Sequence, residues 1–251
     1  MRLALWQGFS PASDIEVAVS QAEAALTAAS SMGASVLVLP EIWLPGYNQP
    51  NIENQALEEA NPILNRLAAA ARSKNCALVV GYAEKASNLI YNSAICIGPE
   101  GQTLAKYRKI QLFGAREAAL YQPGDAYVTF DLAGHKAALL ICYDVEFAPH
   151  IKALADQGVT LLLVPTANMH PFGHVPRVTV PAMAANHGIA IVYANYCGSE
   201  GQLDYTGGSL IAGPHGEILA QAGNTPCLLI AELCGRDSTR LSTQSADFRT
   251  I

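Results

Sequence analysis

Three apolar runs in this chain stop abruptly on polar residues, and those residues carry usable chemistry. Val36-Leu37-Val38-Leu39-Pro40 delivers Glu41, Ala138-Leu139-Leu140-Ile141 delivers Cys142, and Leu161-Leu162-Leu163-Val164 delivers Pro165-Thr166-Ala167-Asn168. The basic stretch Lys106-Tyr107-Arg108-Lys109 adds cations. A cysteine attacking an amide carbonyl needs a base for its proton, a cation or N–H donor for the developing oxyanion, and an acid for the departing ammonia. Glu41, Cys142 and Lys109 supply these functions without a histidine. Singly, each has a plainer reading: a solvated loop carboxylate, a core filler and one member of an exposed basic cluster. Their combination is what points to chemistry.

The elements that must position them alternate. Leu3 to Trp6 reads as a strand, Ser13 or Asp14 caps a helix ending near Gly33, and Ala34 to Leu39 is the next strand. Asn61-Pro62 opens a second helix in the favoured cap-then-proline order, and Cys76 to Tyr82 is again a strand. Two hairpins follow, Leu89 to Ile97 with Gln102 to Tyr107, and Val128 to Leu132 with Lys136 to Ile141. A helix from about Phe147 to Gln157, a strand from Val159 to Val164 and a helix near Val178 to His187 come next. Strands at Ile189 to Asn195, Ser209 to Ala212, Ile218 to Ala220 and Leu228 to Glu232 complete the pattern. In α/β sheets ligands bind outside the carboxyl ends of the strands, so the three polar strand ends are expected to share one site.

With 51% apolar residues, 251 residues suffice for a continuous core, and nothing resembles a linker or a repeat. The expectation is one α/β domain over 1–251 containing two sheets, with 235–251 as a polar C-terminal extension that packs on a neighbour or stays mobile. Only 14% of residues are charged and the net charge is −6, so the basic surface that nucleic acid requires is missing. The N-terminus turns polar too soon for a signal peptide, and no apolar run approaches the roughly 18 residues of a membrane span. A cytoplasmic protein is expected, with a small molecule or another copy of itself as partner. Six scattered cysteines without a C-x-x-C pair, and six scattered histidines without H-E-x-x-H, point away from a disulfide framework and a metal centre.

Leu39-Pro40-Glu41, then Tyr107-Arg108-Lys109 with Leu112-Phe113-Gly114, then Pro123-Gly124-Asp125 and Ile141-Cys142-Tyr143-Asp144 occur in the order that marks the nitrilase superfamily. The chain resembles that family from Leu3 to about Glu232. The resemblance implies an α-β-β-α sandwich, usually assembled as a homodimer or higher homo-oligomer, with no metal or organic cofactor. It implies Glu41 as general base, Cys142 as nucleophile forming a thioester, and Lys109 with the backbone N–H of Tyr143 holding the oxyanion. Glu117, eight residues past Lys109, takes the place of a second glutamate that positions substrate or water; its plainer reading is an exposed carboxylate.

Within the family the segments Ile141 to Phe147, Leu163 to Met169 and Val192 to Gly198 are most similar to amidases acting on ω-amino amides, the 5-aminopentanamidase group. Glu146 then sits near the substrate's tail, where branches taking carboxylate-bearing amides carry an arginine. An acidic residue there favours an ammonium tail, unless it merely caps the following helix. Tyr47, Thr166 and Asn168 are further pocket residues. Three segments depart from the family pattern: Lys109-Ile110-Gln111-Leu112, Phe147-Ala148-Pro149 and Met183-Ala184-Ala185-Asn186-His187. They bear on substrate, rate and assembly more than on reaction class. A nitrilase using the same three residues, acyl transfer to another amine, and a catalytically silent homologue that binds small amides are the competing readings.

Overall fold

Side-chain caps set the two helices of the first third. Asp14, rather than Ser13, accepts from the Val17 N–H at 3.0 Å, and Asn61 accepts from the Ile63 N–H at 2.9 Å with Pro62 beginning the helix. In the computed structural model, which describes residues 1–247 and 249, these caps start α1 (Ile15–Ser31) and α2 (Pro62–Lys74). The helices connect β1 (Arg2–Gln7), β2 (Val36–Val38) and β3 (Ala77–Ala86), which pair in parallel. β4 (Leu89–Ile97) and β5 (Thr103–Arg108) add as an antiparallel hairpin. After α3 (Gly114–Leu120), the second sheet is built from β6 (Thr129–Leu132), β7 (His135–Leu139), α4 (Ala148–Asp156), β8 (Leu161–Pro165), α5 (Val180–His187) and β9 (Ala190–Ala194). A separate hairpin, β10 (Cys197–Glu200) and β11 (Leu203–Thr206), precedes β12 (Leu210–Ala212), β13 (Ile218–Gln221) and β14 (Cys227–Glu232).

The sheets have strand orders β14-β1-β2-β3-β4-β5 and β13-β12-β9-β8-β7-β6. Successive strand residues point to opposite faces, and the core divides accordingly. Leu3, Leu5, Val36, Val38 and Val79 join Leu139, Leu161 and Leu163 in one cluster between the sheets. Ala4, Leu37, Leu39, Leu78 and Val80 pack instead with Leu26 of α1 and Leu67 of α2. Each fully buried Leu or Val of this kind contributes roughly 1.5–3 kcal/mol. On the far side, Ile151 and Leu154 of α4 and Val180 and Ala184 of α5 cover the second sheet. The result is the expected α-β-β-α sandwich. Among the described residues no helix is long and apolar enough to cross a membrane.

Three local features differ from the sequence reading. The β7 strand ends at Leu139, so the chain leaves the sheet before Cys142, which opens a short 3-10 turn, Cys142–Glu146. The α3 helix and the β10–β11 hairpin were not expected. The tail also folds back on its own chain: a β-carbon on Gly188, at the end of α5, would lie 2.8 Å from the Arg236 guanidinium and 2.9 Å from Leu241. Arg236 thereby brings a cation to a helix C-terminus, where it is favoured. Positions 248, 250 and 251 of that extension lie outside the described residues.

Candidate active site

Strand direction brings the polar strand ends together. The β5 strand is antiparallel to β4, itself antiparallel to β3, so β5 runs with β2 and β3. Lys109 after β5 therefore emerges at the same sheet edge as Glu41 after β2. In the other sheet β7 and β8 are parallel, which places Cys142 and Thr166 on a common edge. The two edges join where the Glu41 N–H donates to the Thr166 carbonyl at 3.3 Å.

Glu41, Lys109 and Glu117 are all fully buried. Lys109 Nζ donates to Glu41 Oε1 at 2.7 Å and to Glu117 Oε1 at 2.8 Å. Asn92 Nδ2 donates to the same Glu41 oxygen at 2.7 Å, whereas Glu41 Oε2 is buried with no hydrogen-bond partner. One oxygen is thus a fixed anchor and the other is free to take a proton. Glu117 is held at its remaining positions by the Tyr47 hydroxyl at 2.6 Å and the Phe113 N–H at 2.8 Å. It is a structural member of the site, not the exposed carboxylate of its plainer reading. The Lys109 backbone is pinned as well, its N–H donating to the Asn92 carbonyl and its carbonyl accepting from Gly124, both at 2.8 Å. Gly124 must be glycine here, because a β-carbon would fall 2.2 Å from the Arg108 carbonyl oxygen.

The turn that presents Cys142 is strained and tethered. Cys142 has φ +47°, in the left-handed region that residues with a β-carbon seldom adopt. Asp144, buried two residues on, holds that geometry by accepting from the Ile141 N–H at 3.0 Å, the Gln111 N–H at 2.8 Å and the Tyr107 hydroxyl at 2.8 Å. Ile42, beside Glu41, is also left-handed at φ +44°, an outlier for a β-branched residue. The Glu41 segment is stabilised by the Tyr196 hydroxyl, which donates to the Glu41 carbonyl at 2.9 Å, and by Trp43 stacked on Tyr196. It also needs Gly81: a β-carbon there would lie 2.5 Å from Ile42 N and 2.8 Å from Glu41 Cα. Gly81→Ala is expected to lower kcat roughly 100-fold by displacing Glu41, with a lower melting temperature; kcat near wild type would show that the segment tolerates the shift.

Burial sets the protonation states. It pushes the Cys142 thiol well above its ordinary value and the Glu41 charge pushes it further, while Lys109, Thr166 and the Ala167 N–H favour the thiolate without prevailing. The resting sulfur is a thiol that needs a base. Burial likewise raises the Glu41 carboxyl, against the pull of Lys109 and Asn92 and with the Glu117 charge adding to the rise. Such a carboxylate is a better proton acceptor than an exposed one. For Lys109, burial favours the neutral amine, but Glu41 and Glu117 outweigh it and hold the ammonium well above its ordinary range.

Above this cluster lies a cavity of about 210 Å³, with Cys142, Tyr47, Tyr143, Glu146 and Asn168 in its wall. Of the nine residues singled out from sequence, these five line the cavity. Glu41, Lys109, Glu117 and Thr166 are buried behind it. Thr166 is therefore a neighbour of the sulfur and not a lining residue. Asn168 is held by Asn195 and donates to the Phe172 carbonyl at 3.1 Å. Sequence reasoning missed Asn92, Asp144 and the aromatic walls Phe113 and Phe172, which meet edge to face with centroids 5.6 Å apart. Asn92 had a signal, an amide that sits with Ser93 inside a mostly apolar strand.

A thiol beside a carboxylate with one free oxygen, an ammonium held between two carboxylates, and a small cavity over the sulfur define a hydrolase of acyl–nitrogen bonds built on an α-β-β-α sandwich. The chain belongs to the carbon-nitrogen hydrolase family, whose description it matches over residues 2–238. It is an enzyme for carbon–nitrogen bonds other than peptide bonds. It is 40% identical to a hydrolase encoded in the pqqF 5' region of Pseudomonas protegens, over 93% of this chain and 82% of that one. It is 36% identical to a nitrilase of Pyrococcus abyssi, over 82% and 79% of the two chains. Among solved structures it is similar to the NitN amidase of Nesterenkonia sp. AN1, with a TM-score of 0.88, 33% identity and coverage of 99% and 96%. Other structures of that amidase hold acrylamide added at its active-site cysteine, or butyramide.

Proposed function

We propose that the enzyme hydrolyses a small aliphatic amide with a cationic amino tail, 5-aminopentanamide being the pattern, to a carboxylate and ammonia. In this reading Glu41 Oε2 takes the Cys142 proton as the sulfur attacks the carbonyl carbon. Lys109 and the Tyr143 N–H stabilise the oxyanion, a donor of this kind being worth roughly 3 kcal/mol. Glu41 passes its proton to the departing nitrogen, ammonia leaves and a Cys142 thioester remains. A water then gives a proton to Glu41 and its oxygen attacks the thioester. The C–S bond breaks, and the sulfur regains its proton. Glu117, fixed by Lys109 and Tyr47, positions the substrate amide or that water.

The observation that carries the amide reading is the partition of Glu41, one oxygen anchored and one free beside a thiol that burial keeps protonated. The cationic tail rests on Glu146, a carboxylate in the wall of a mostly apolar cavity that opens on Cys142. Butyramide bound to the Nesterenkonia amidase supports a short aliphatic amide. The Pyrococcus relative's name supports the second reading, a nitrile substrate attacked by the same cysteine.

The deciding measurement is ammonia release by wild type and Cys142→Ala over 5-aminopentanamide, pentanamide, an amide with a carboxylate tail, and the matching nitriles. The expected result is turnover highest for the amino-tailed amide and absent in the variant. A preference for neutral or anionic amides discards the tail assignment, and turnover confined to nitriles discards the amidase. No release from any substrate leaves a silent homologue.

A further inference from the structure

We propose that His174 is a second determinant of tail selectivity, an imidazole set against Glu146 in the wall of the same cavity, an inference that rests on the cationic-tail reading above. Both side chains stand in the wall of the cavity over Cys142, and they arrive from different elements. Glu146 ends the 3-10 turn that begins at Cys142. His174 precedes the wide helical turn Val175–Thr179 between β8 and α5, and its side chain makes no capping hydrogen bond there. The imidazole is therefore not consumed by the local backbone. Its ring meets Phe172 at a centroid separation of 6.4 Å, and Phe172 in turn meets Phe113, so the imidazole is seated on the aromatic wall.

The rest of that wall offers no competing full charge. Phe113, Ala167, Met169 and Phe172 are apolar, and Asn168 is a neutral amide. The charge that a substrate tail meets is then set by two side chains of opposite tendency. They sense one another: burial raises the Glu146 carboxyl, and the charge of His174 is what chiefly opposes that rise. With a neutral group at position 174, a cationic tail meets an undiluted carboxylate. With a fixed positive charge there, the attraction is cancelled and an uncharged tail is accepted on equal terms. A charge pair near a protein surface interacts strongly enough for this to appear in kcat/KM, by roughly three- to tenfold after solvent and salt screening.

The test compares kcat/KM for 5-aminopentanamide with that for its uncharged isostere, hexanamide, at one pH and ionic strength. A ratio cancels any change in the chemical step common to both substrates. The wild-type ratio is expected to exceed one. His174→Gln raises it, His174→Lys lowers it toward or below one, and Glu146→Gln brings it to one or below. Ratios for His174→Gln and His174→Lys equal to each other overturn the role of His174 while leaving the cationic-tail reading intact. A ratio of one or less in both wild type and His174→Gln overturns the tail reading itself. Unchanged far-UV circular dichroism in each variant separates these outcomes from misfolding.

Discussion

Glu41→Gln is expected to lower amide turnover by at least three orders of magnitude while leaving the fold and the cavity in place. Glutamine keeps the shape of the side chain, and its oxygen can still accept from Lys109 Nζ and Asn92 Nδ2, which hold Glu41 Oε1 at 2.7 Å each. Under the proposed mechanism the lost function is proton transfer, which Glu41 performs twice, in thioester formation and in its hydrolysis. A single general acid–base residue is worth roughly two to four orders of magnitude. The same group sets the acid limb of the pH profile. Because burial raises its carboxyl above 4.5, and the base must be ionised to act, activity falls as pH drops through a value above 4.5. Asn92→Leu removes a donor that favours the ionised form, so the limb moves to higher pH in that variant. Steady-state ammonia release across pH measures both effects. Glu41→Gln retaining a tenth of wild-type turnover, or an Asn92→Leu limb moving to lower pH, would contradict the assignment of Glu41 as the base.

How much of this was legible in the sequence depends on whether an effect is local. Glu41 and Cys142 stood out because each follows an apolar run that can only be a buried strand, and the sandwich followed from such runs alternating with capped helices. Lys109 did not stand out by pattern. Lys106 and Arg108 in the same stretch have the same chemistry, yet they pair with Glu84 at 3.2 and 2.7 Å on the β3–β4 hairpin, while Lys109, just past the strand end, turns into the interior. Only the order of motifs distinguished it. Glu117 was obscured because α3 has seven residues and follows Phe113, which provides no side-chain cap. The β10–β11 hairpin was missed because its strands have four residues each and its contacts are distant. Glu200 at its tip accepts from Gln49, 151 positions earlier in the chain, and from Tyr205. Asp144 was visible in the motif beside Cys142, but its partners at Tyr107 and Gln111 come from a different sheet region. The Gln111 contact also explains why one departure from the family pattern is tolerated: the bond is made by its backbone N–H, which any residue but proline supplies.

Lys109→Ala is expected to cost both activity and stability, and the two losses have separable causes. The ammonium is buried between Glu41 and Glu117, at 2.7 and 2.8 Å, with no solvent contact at any of the three side chains. Under the proposed mechanism, removing it takes away an oxyanion donor worth roughly 3 kcal/mol in the transition state. It also leaves two buried carboxylates facing one another. Burial and the Glu117 charge already push the Glu41 carboxyl up, and Lys109 is the largest influence holding it down, so without the lysine the base is driven further toward its protonated form. Breaking a buried ion pair by deleting one partner destabilises a fold by roughly 3–5 kcal/mol, enough to lower the melting temperature by many degrees. Lys109→Met combined with Glu117→Gln restores charge balance with side chains of similar volume. That double variant should recover most of the melting temperature and almost none of the turnover, because no donor replaces the ammonium at the oxyanion. Recovery of turnover to within tenfold of wild type would reduce Lys109 to a neutralising group. A single Lys109→Ala variant melting with wild type would mean that water enters and solvates the two carboxylates.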